Sequence, residues 1–199
     1  MNKGQQTRRA IVAAAAPLFN QKGFEGTSLS DLMRATGLQK GGIYRHFSSK
    51  EELAAVVFDY SWGRAVHERL AGVAEIPNCV DRLKKTIENF VELRVGLVPG
   101  GCPLMNTAVE ADDGNSRLRA RARKALQNWT ALLTNITAEG IAKNQTSPNV
   151  DARDLAQLII GSLEGALLIA RLQKSNTPLR AVHQHLDDYL EQSVRAKER

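Results

Sequence analysis

Apolar residues recur at three- and four-residue spacing along most of the chain, which is the period of an amphipathic α-helix. The first such stretch, from about Gln5 to Lys22, places Ile11, Ala15 and Leu18 on one side. Runs of β-branched residues are rare, whereas Ala, Leu, Glu, Gln, Lys and Arg are abundant. The pattern therefore predicts an all-α protein of about nine helices.

Short local signals mark where the helices begin and end. Gly23 is expected to end the first helix. Ser28 and Asp31 form a capping box that begins the second helix, and Gly37 ends it in the left-handed conformation. The later helices are expected at residues 39–47, 49–70, 78–97, from 103, 116–143, 151–174 and 177–195.

Basic residues concentrate at the start of the chain. Residues 1–50 hold eight Lys or Arg and two Asp or Glu, so their net charge of +6 equals that of all 199 residues. Residues 51–199 are therefore neutral. A cationic first quarter suits a polyanionic partner such as DNA. We expect a boundary at residue 50, with a basic module before it and a separate helical bundle after it.

Residues 26–50 have the pattern of a helix-turn-helix, which needs an apolar inner face, a tight turn and an exposed second helix. Gly37 supplies the turn. The inner face can be supplied by Leu29, Leu32, Met33, Leu38, Ile43 and Phe47. The same residues would also suit an ordinary helical bundle with a solvated basic face, and the segregation of charge favours the DNA-binding interpretation.

The exposed side of this unit carries the candidate DNA contacts. Gln39 and Lys40 can read base edges from the start of the third helix, and Gly41 lets the backbone approach the groove wall. Tyr44, Arg45 and His46 on the third helix, Lys50 at the start of the next helix, and Thr27 and Ser28 at the start of the second can all contact phosphate or sugar.

Residues 8–57 resemble the N-terminal domain of TetR/AcrR-type transcriptional repressors. The resemblance lies in LF-x-x-x-GF in the first helix, the TS pair, the ATGL turn, and G-x-Y-x-HF-x-S-K-E-x-L at the end. It implies a homodimer, with a helix-turn-helix head at residues 1–50 and a ligand-binding and dimerisation domain at 51–199. It also implies operator contacts by residues 39–41, 44, 46 and 50, and a phosphate contact by Thr27. The implied function is a repressor that a small-molecule inducer releases from a palindromic operator.

Two residues of the third helix depart from the family pattern. Gln39 stands where a Ser or Thr is usual, and Gly42 adds a second glycine. A glycine weakens a helix by about 1 kcal/mol relative to alanine. We therefore hypothesise that the third helix is fully ordered only on DNA.

The neutral bundle contains large or polar residues on predicted inward faces, and these are candidate ligand contacts. Most inward aromatic residues belong to a core, so we expect only some of these candidates to contact a ligand. Glu164 lies in the most apolar stretch, where a buried carboxylate needs either Arg171 or a cationic ligand as partner. The alternative is that Glu164 faces solvent or a subunit interface. The candidates are Phe58, Trp62, Phe90, Met105, Asn106, Trp129 and Glu164.

The last two helices are expected to form the dimer interface. Apolar residues nearly encircle the penultimate helix, and one chain of this size has difficulty covering every side of it. Gly161 and Gly165 would allow close approach of a second helix. A four-helix interface between two subunits would place two reading heads about 34–36 Å apart, one turn of DNA.

Cys102 gives an alternative switch. It lies at the predicted start of a helix, where the helix field lowers the pKa of a thiol, so it could sense oxidants or electrophiles. A buried structural role at a tight turn is the simpler interpretation. A more distant alternative is a non-specific architectural DNA binder that has no ligand.

The motif inventory argues against an enzyme. His183 and His185 point to different sides of a helix, and the sequence has no phosphate-binding, dinucleotide-binding or nucleophile-elbow motif. We therefore expect no cofactor, no metal and no catalytic residue. Two cysteines, no recognisable leader, and no apolar run near about 20 residues predict a cytoplasmic protein without a membrane partner.

Overall fold

The computed structural model describes residues 2–92, 99–112 and 114–197, and every described helix follows the predicted order. Among these residues are nine α-helices and, directly after the ninth, a π-helical turn at Leu190–Val194. The all-α prediction is confirmed, and the expected end of the fifth helix near residue 97 lies outside the described residues. The helices are α1 (Lys3–Gly26), α2 (Leu29–Thr36), α3 (Lys40–Tyr44), α4 (Lys50–Arg69), α5 (Cys79–Glu92), α6 (Pro103–Ala111), α7 (Ser116–Ala142), α8 (Ala152–Gln173) and α9 (Thr177–Tyr189).

Side-chain caps determine where the first helices begin. Asn2 accepts a hydrogen bond from the backbone amide of Gln5 at 2.9 Å, and the Gln5 side chain accepts one from the Asn2 amide in return. Helix α1 is assigned as far as Gly26, but Gly23 has φ 76° and ψ 178°, outside the helical region. The regular part of α1 therefore ends where the sequence predicts, and Phe24–Gly26 forms a short continuation.

The described residues divide into two compact units. Within the described ranges, the first comprises residues 2–65, 99–112 and 114–125, and the second comprises residues 66–92 and 126–197. Packing therefore groups α6 and the start of α7 with the N-terminal helices, and α4 contributes to both units. The expected functional boundary at residue 50 stays a prediction, since packing does not define which residues bind DNA or ligand.

The core of the first unit holds α1, α2, α3 and the start of α4 together. Its buried side chains come from all four helices, which fixes their relative angles. They are Ile11, Val12, Ala15, Ala16, Leu32, Ile43, Phe47, Leu53 and Val57.

The second unit packs α5 against α8 and α9, and α8 is its most apolar element. Among the described helices, α8 is the one long and apolar enough to cross a membrane, with mean hydropathy 1.6, and 44% of its most apolar window is buried in the protein. The expectation that no apolar run approaches a membrane span is thus too strong for α8. A core helix of a soluble protein meets the same length and composition criteria, and α8 carries the buried Glu164.

Candidate nucleic-acid interface and ligand-binding residues

Helix α2 is held at both ends by the predicted caps. The amide of Asp31 donates to the hydroxyl of Ser28 at 3.1 Å, and the Asp31 carboxylate accepts from the Ser28 amide at 3.1 Å. Lys22 forms an ion pair with the same carboxylate at 3.0 Å. Hydrogen bonding from Lys22, followed by that from Ser28, lowers the pKa of Asp31 to about 2. At the other end, Gly37 is left-handed with φ 68°.

Helix α3 is oriented by one residue on its inner side, Ile43, and by Phe47 three residues after its end. Ile43 and Phe47 are almost fully buried against the core of the first unit. The opposite side is consequently turned to solvent, and Gln39, Lys40 and Gly41 are exposed there. The arrangement presents the N-terminal turn of a short helix, as a major-groove reader requires.

The remaining predicted contacts surround this turn to different degrees. Arg45 and Ser28 are exposed, whereas Tyr44 and His46 are partly buried. Lys50, also partly buried, has its ammonium 4.3 Å from the centroid of the Phe24 ring. That cation–π contact restrains Lys50 at the N-terminus of α4.

Thr27 differs from the other predicted contacts in its burial. Its side chain is fully buried, and its hydroxyl donates to the backbone carbonyl of Gly23 at 2.6 Å. A hydroxyl that is buried and already donating is not presented to a phosphate. In this structure the Thr27 hydroxyl closes the last turn of α1.

Arg8 is a residue that the sequence did not single out. Its guanidinium lies 4.6 Å from the centroid of the Phe47 ring and 3.4 Å from the Glu52 carboxylate. That carboxylate also accepts from the amide and hydroxyl of Ser48, both at 2.7 Å, and hydrogen bonding from Ser48 lowers the pKa of Glu52. Arg8 thus supports Phe47 from α1. The sequence pattern could not predict this role of Arg8, because its partners Phe47 and Glu52 are far from it in the chain.

A second set of contacts links α1 to α6 within the same unit. The carboxylate of Glu110 accepts hydrogen bonds from the amides of Phe24 at 2.8 Å and Glu25 at 2.9 Å. The side-chain amide of Asn106 donates to the Asn20 carbonyl at 2.9 Å and to the Gly100 carbonyl at 2.8 Å. Asn106, expected as a ligand contact, is therefore engaged in holding the chain before α6 against α1.

The other ligand candidates in the first unit are Phe58, Trp62 and Met105. Phe58 and Trp62 are buried and Met105 is partly exposed. Phe58 lines a cavity of only about 30 Å³. Pockets for drug-sized ligands measure roughly 300–1,000 Å³, so this cavity is far smaller than such a pocket.

The structure brings three candidates together in the second unit. The rings of Phe90 and Trp129 stack with centroids 6.0 Å apart and planes inclined by 13°. The Arg69 guanidinium lies 4.5 Å from the Phe90 centroid and 4.4 Å from the Trp129 centroid. Its Nη2 is 3.7 Å from Oε1 of Glu164. The expected partner Arg171 is exposed, so Arg69 and not Arg171 pairs with Glu164.

Cys102 directly precedes α6, so it lies at the start of a helix as predicted, but its side chain is buried. Cys79, at the start of α5, is buried too. Burial restricts the access of oxidants and electrophiles, so the geometry favours the structural role of Cys102. Among the described residues, no group of three or more His, Cys, Asp or Glu side chains could hold a metal ion.

Comparisons with known proteins cover nearly the whole chain. Residues 11–57 match the family of bacterial regulatory proteins described as the tetR family, and residues 79–186 match the tetracyclin repressor-like C-terminal domain. A TetR transcriptional regulator from Chloroflexus aurantiacus J-10-FL is 45% identical, with TM-score 0.93 over 99% of this chain and 100% of its own. A TetR-family regulator from Cytophaga hutchinsonii is 36% identical, with TM-score 0.92 over 100% and 99%. The Escherichia coli K12 repressor ComR is 30% identical over 87% of both chains.

Proposed function

The chain belongs to the TetR family of transcriptional regulators, and from that premise we propose that it is a homodimeric repressor released from a palindromic operator by a small molecule. Membership makes the protein a helix-turn-helix DNA-binding regulator and not an enzyme. Dimer formation and an effector ligand are typical of the family. Its DNA target makes the cytoplasm the expected location.

The observation that carries the DNA-binding part is the orientation of α3. Burial of Ile43 and Phe47 leaves Gln39, Lys40 and Gly41 on the solvent side. The net charge of +6 is confined to residues 1–50. We therefore assign base reading to Gln39 and Lys40, and phosphate contacts to Ser28, Tyr44, Arg45, His46 and Lys50.

The proposal that two copies meet through α8 and α9 rests on an exposed apolar stripe. Positions 158, 161, 165, 168 and 172 alternate in steps of three and four, so they lie on one face of α8. Gly161 and Gly165 on this face leave room for a partner helix to approach closely. A monomer would leave this stripe in water, whereas a second copy of α8 would cover it. The exposed fractions are 47% for Leu158, 56% for Leu168, 46% for Ile169 and 77% for Leu172.

The effector part of the proposal rests on the second unit. Release requires that the effector bind a conformation with low operator affinity more tightly than it binds the DNA-bound conformation. Phe90, Trp129 and Glu164 bring apolar area and charge together in this unit. The alternative switch through Cys102 has burial against it and is not proposed.

The experiment is recovery of duplexes from a random pool by the purified protein at moderate ionic strength. The expected product is a twofold-symmetric sequence bound by one dimer, with about 10³-fold or greater preference over random DNA. Equal affinity and equal salt dependence on every duplex would instead identify an architectural binder. No binding to any duplex would contradict the DNA assignments altogether.

Two substitutions separate the assigned roles. Lys50→Gln should weaken all duplexes similarly and reduce the salt slope by about 1. Gln39→Ala should change sequence preference. The matched control is Lys124→Gln on α7, which removes the same charge from an exposed position outside the reading head and should leave the slope unchanged.

A further inference from the structure

A buried ion pair in the second unit lies against two aromatic rings. The whole residues Arg69 and Glu164 are only 6% and 4% exposed. The Arg69 guanidinium carbon lies within 4.5 Å of both the Phe90 and the Trp129 ring centroids. Phe90, Trp129 and Glu164, which contact this guanidinium, are called the cation cage below.

Four helices build this cage. Arg69 is the last residue of α4, Phe90 lies on α5, Trp129 on α7 and Glu164 on α8. The backbone at Arg69 is held separately, because the side-chain amide of Asn89 donates to its carbonyl at 3.1 Å and to that of Ala71 at 2.8 Å. The backbone of Arg69 is therefore fixed independently of its guanidinium, which lies at the end of a flexible side chain. The rings and the carboxylate that contact the guanidinium belong to other helices.

The cage has the chemistry of a receptor for an organic cation. Aromatic faces attract a cation most strongly where water is excluded. A buried carboxylate compensates the charge that enters with it. These are the groups that recognise guanidinium and quaternary ammonium compounds, and the protein's own Arg69 occupies the place of such a ligand.

We propose that the effector is a small organic monocation whose guanidinium, amidinium or quaternary ammonium group exchanges with Arg69 in the cation cage. Exchange of one cation for another keeps the charge beside Glu164 balanced and keeps the contacts with both rings. An anionic effector would meet the Glu164 carboxylate, and a neutral one would remove its counter-charge. The inference rests on the proposed effector-controlled repressor and names the chemical class of its effector.

The exchange would act on α4. Arg69 ends this helix, and Lys50, assigned to a phosphate contact, begins it. While Arg69 is in the cage, its side chain holds the C-terminal end of α4 to α5, α7 and α8. When a cation displaces the Arg69 guanidinium, this restraint on α4 is removed. The cation therefore binds more tightly to a conformation of α4 in which Arg69 is outside the cage.

The first experiment is chemical rescue in the full chain without DNA. Arg69→Ala removes the guanidinium from Glu164 and should lower the thermal midpoint. Methylguanidinium at about ten times its dissociation constant should then raise that midpoint by about 3–6 °C. Methylurea, its uncharged counterpart, should not. In Arg69→Ala/Glu164→Gln the rise with methylguanidinium should disappear, because the carboxylate that attracts the cation is gone. Equal responses to the two compounds, or an undiminished rise in the double variant, would overturn the proposal.

A second measurement does not depend on Arg69→Ala folding. Trp62→Phe leaves Trp129 as the sole tryptophan, since the chain has two. Methylguanidinium and tetramethylammonium should change Trp129 fluorescence saturably in this variant. Methylurea and sodium chloride of equal ionic strength should not. Absence of a saturable, cation-specific change would contradict the cage as an effector site.

The third measurement separates this inference from the proposed function. On the recovered palindrome, methylguanidinium should lower the affinity of the parent protein by about tenfold or more beyond an equal ionic strength of sodium chloride. Glu164→Gln should lose the response, measured as the ratio of its operator affinities with and without the cation, whereas Lys124→Gln, outside the cage, should keep it. Specific DNA binding without any cation response overturns the cage proposal alone, whereas loss of specific DNA binding with intact cation fluorescence overturns the repressor proposal alone.

Discussion

The carboxylate of Glu110 on α6 accepts a hydrogen bond from the backbone amide of Phe24, at 2.8 Å, directly after α1 leaves the helical conformation. It also accepts from the amide of Glu25 at 2.9 Å. Two amides at the start of a helical turn are thus satisfied by a side chain from another helix. Gly23 leaves the space for it, since a Cβ there would lie 2.5 Å from a Glu110 oxygen.

Glu110→Gln tests the strength of this clamp. The amide keeps the shape but offers one acceptor oxygen and no charge, so we expect a loss of about 1–2 kcal/mol in the free energy of unfolding. Denaturant titration measures it. Glu25→Gln, which removes a negative charge from the same segment, is the control and should change stability by less than about 0.5 kcal/mol. Equal effects would indicate a general charge effect.

The two glycines of α3 allow DNA contact to be separated from helix stability. A Cβ at Gly41 meets nothing within 4 Å, and one at Gly42 meets Leu38 at an ordinary 3.4 Å. Both Gly41→Ala and Gly42→Ala should therefore stabilise the helix, by about 0.5–1 kcal/mol. Only Gly41→Ala should weaken operator binding, by about tenfold, because Gly41 is exposed on the reading side. Fluorescence anisotropy titration of labelled operator DNA measures the affinity of each variant. Equal operator affinities for Gly41→Ala and Gly42→Ala would contradict the assignment of Gly41 to the DNA interface.

The same pair bears on whether α3 is ordered before it meets DNA. Amide exchange of residues 39–47 should be faster in the DNA-free protein than on the operator, and Gly42→Ala should reduce the difference. Protection that is already as high without DNA would contradict this hypothesis.

Asp31 gives a pH dependence with a definite sign. Its pKa falls from the ordinary 3.8 to about 2, mainly through Lys22 and then Ser28. A carboxylate with a depressed folded-state pKa adds stability above its unfolded-state pKa and loses it as pH falls through the folded value. The stability advantage of the parent protein over Asp31→Asn should therefore be constant above about pH 5 and shrink between about pH 4 and 2. Urea titrations across this range measure it, and a constant difference down to pH 2 would contradict the shift.

Leu172→Glu tests the proposed subunit contact. A twofold interface contains the substitution twice, and burial of each leucine contributes about 1.5–3 kcal/mol. We expect the dimer dissociation constant to rise at least about 100-fold in sedimentation velocity. Val109→Glu on α6, at a position 73% exposed, is the control and should leave the dimer intact. A dimer that survives Leu172→Glu would place the interface elsewhere.

Much of the DNA-binding head was predictable because its signals are local. Ser28 and Asp31 are three residues apart, and Gly37 marks a turn by its own backbone freedom. Ile43 and Phe47 fall on one helical side. No local sequence pattern marks Arg69 as the partner of Glu164, or Glu110 as the partner of the Phe24 amide. Arg69 looks in sequence like a charge favouring a helix C-terminus, and Glu110 looks like a solvated acid.

The sequence by itself determined the helices, their caps, the confinement of positive charge to residues 1–50 and the family resemblance of residues 8–57, because each depends on residues close together in the chain. Only the tertiary structure decided that Thr27 is buried, that Asn106 supports α1, and that the Arg69 guanidinium lies over the Phe90 and Trp129 rings beside Glu164. Those relationships join residues far apart in sequence. They follow from how helices pack, and one-dimensional periodicity does not specify which side chain of one helix meets which side chain of another.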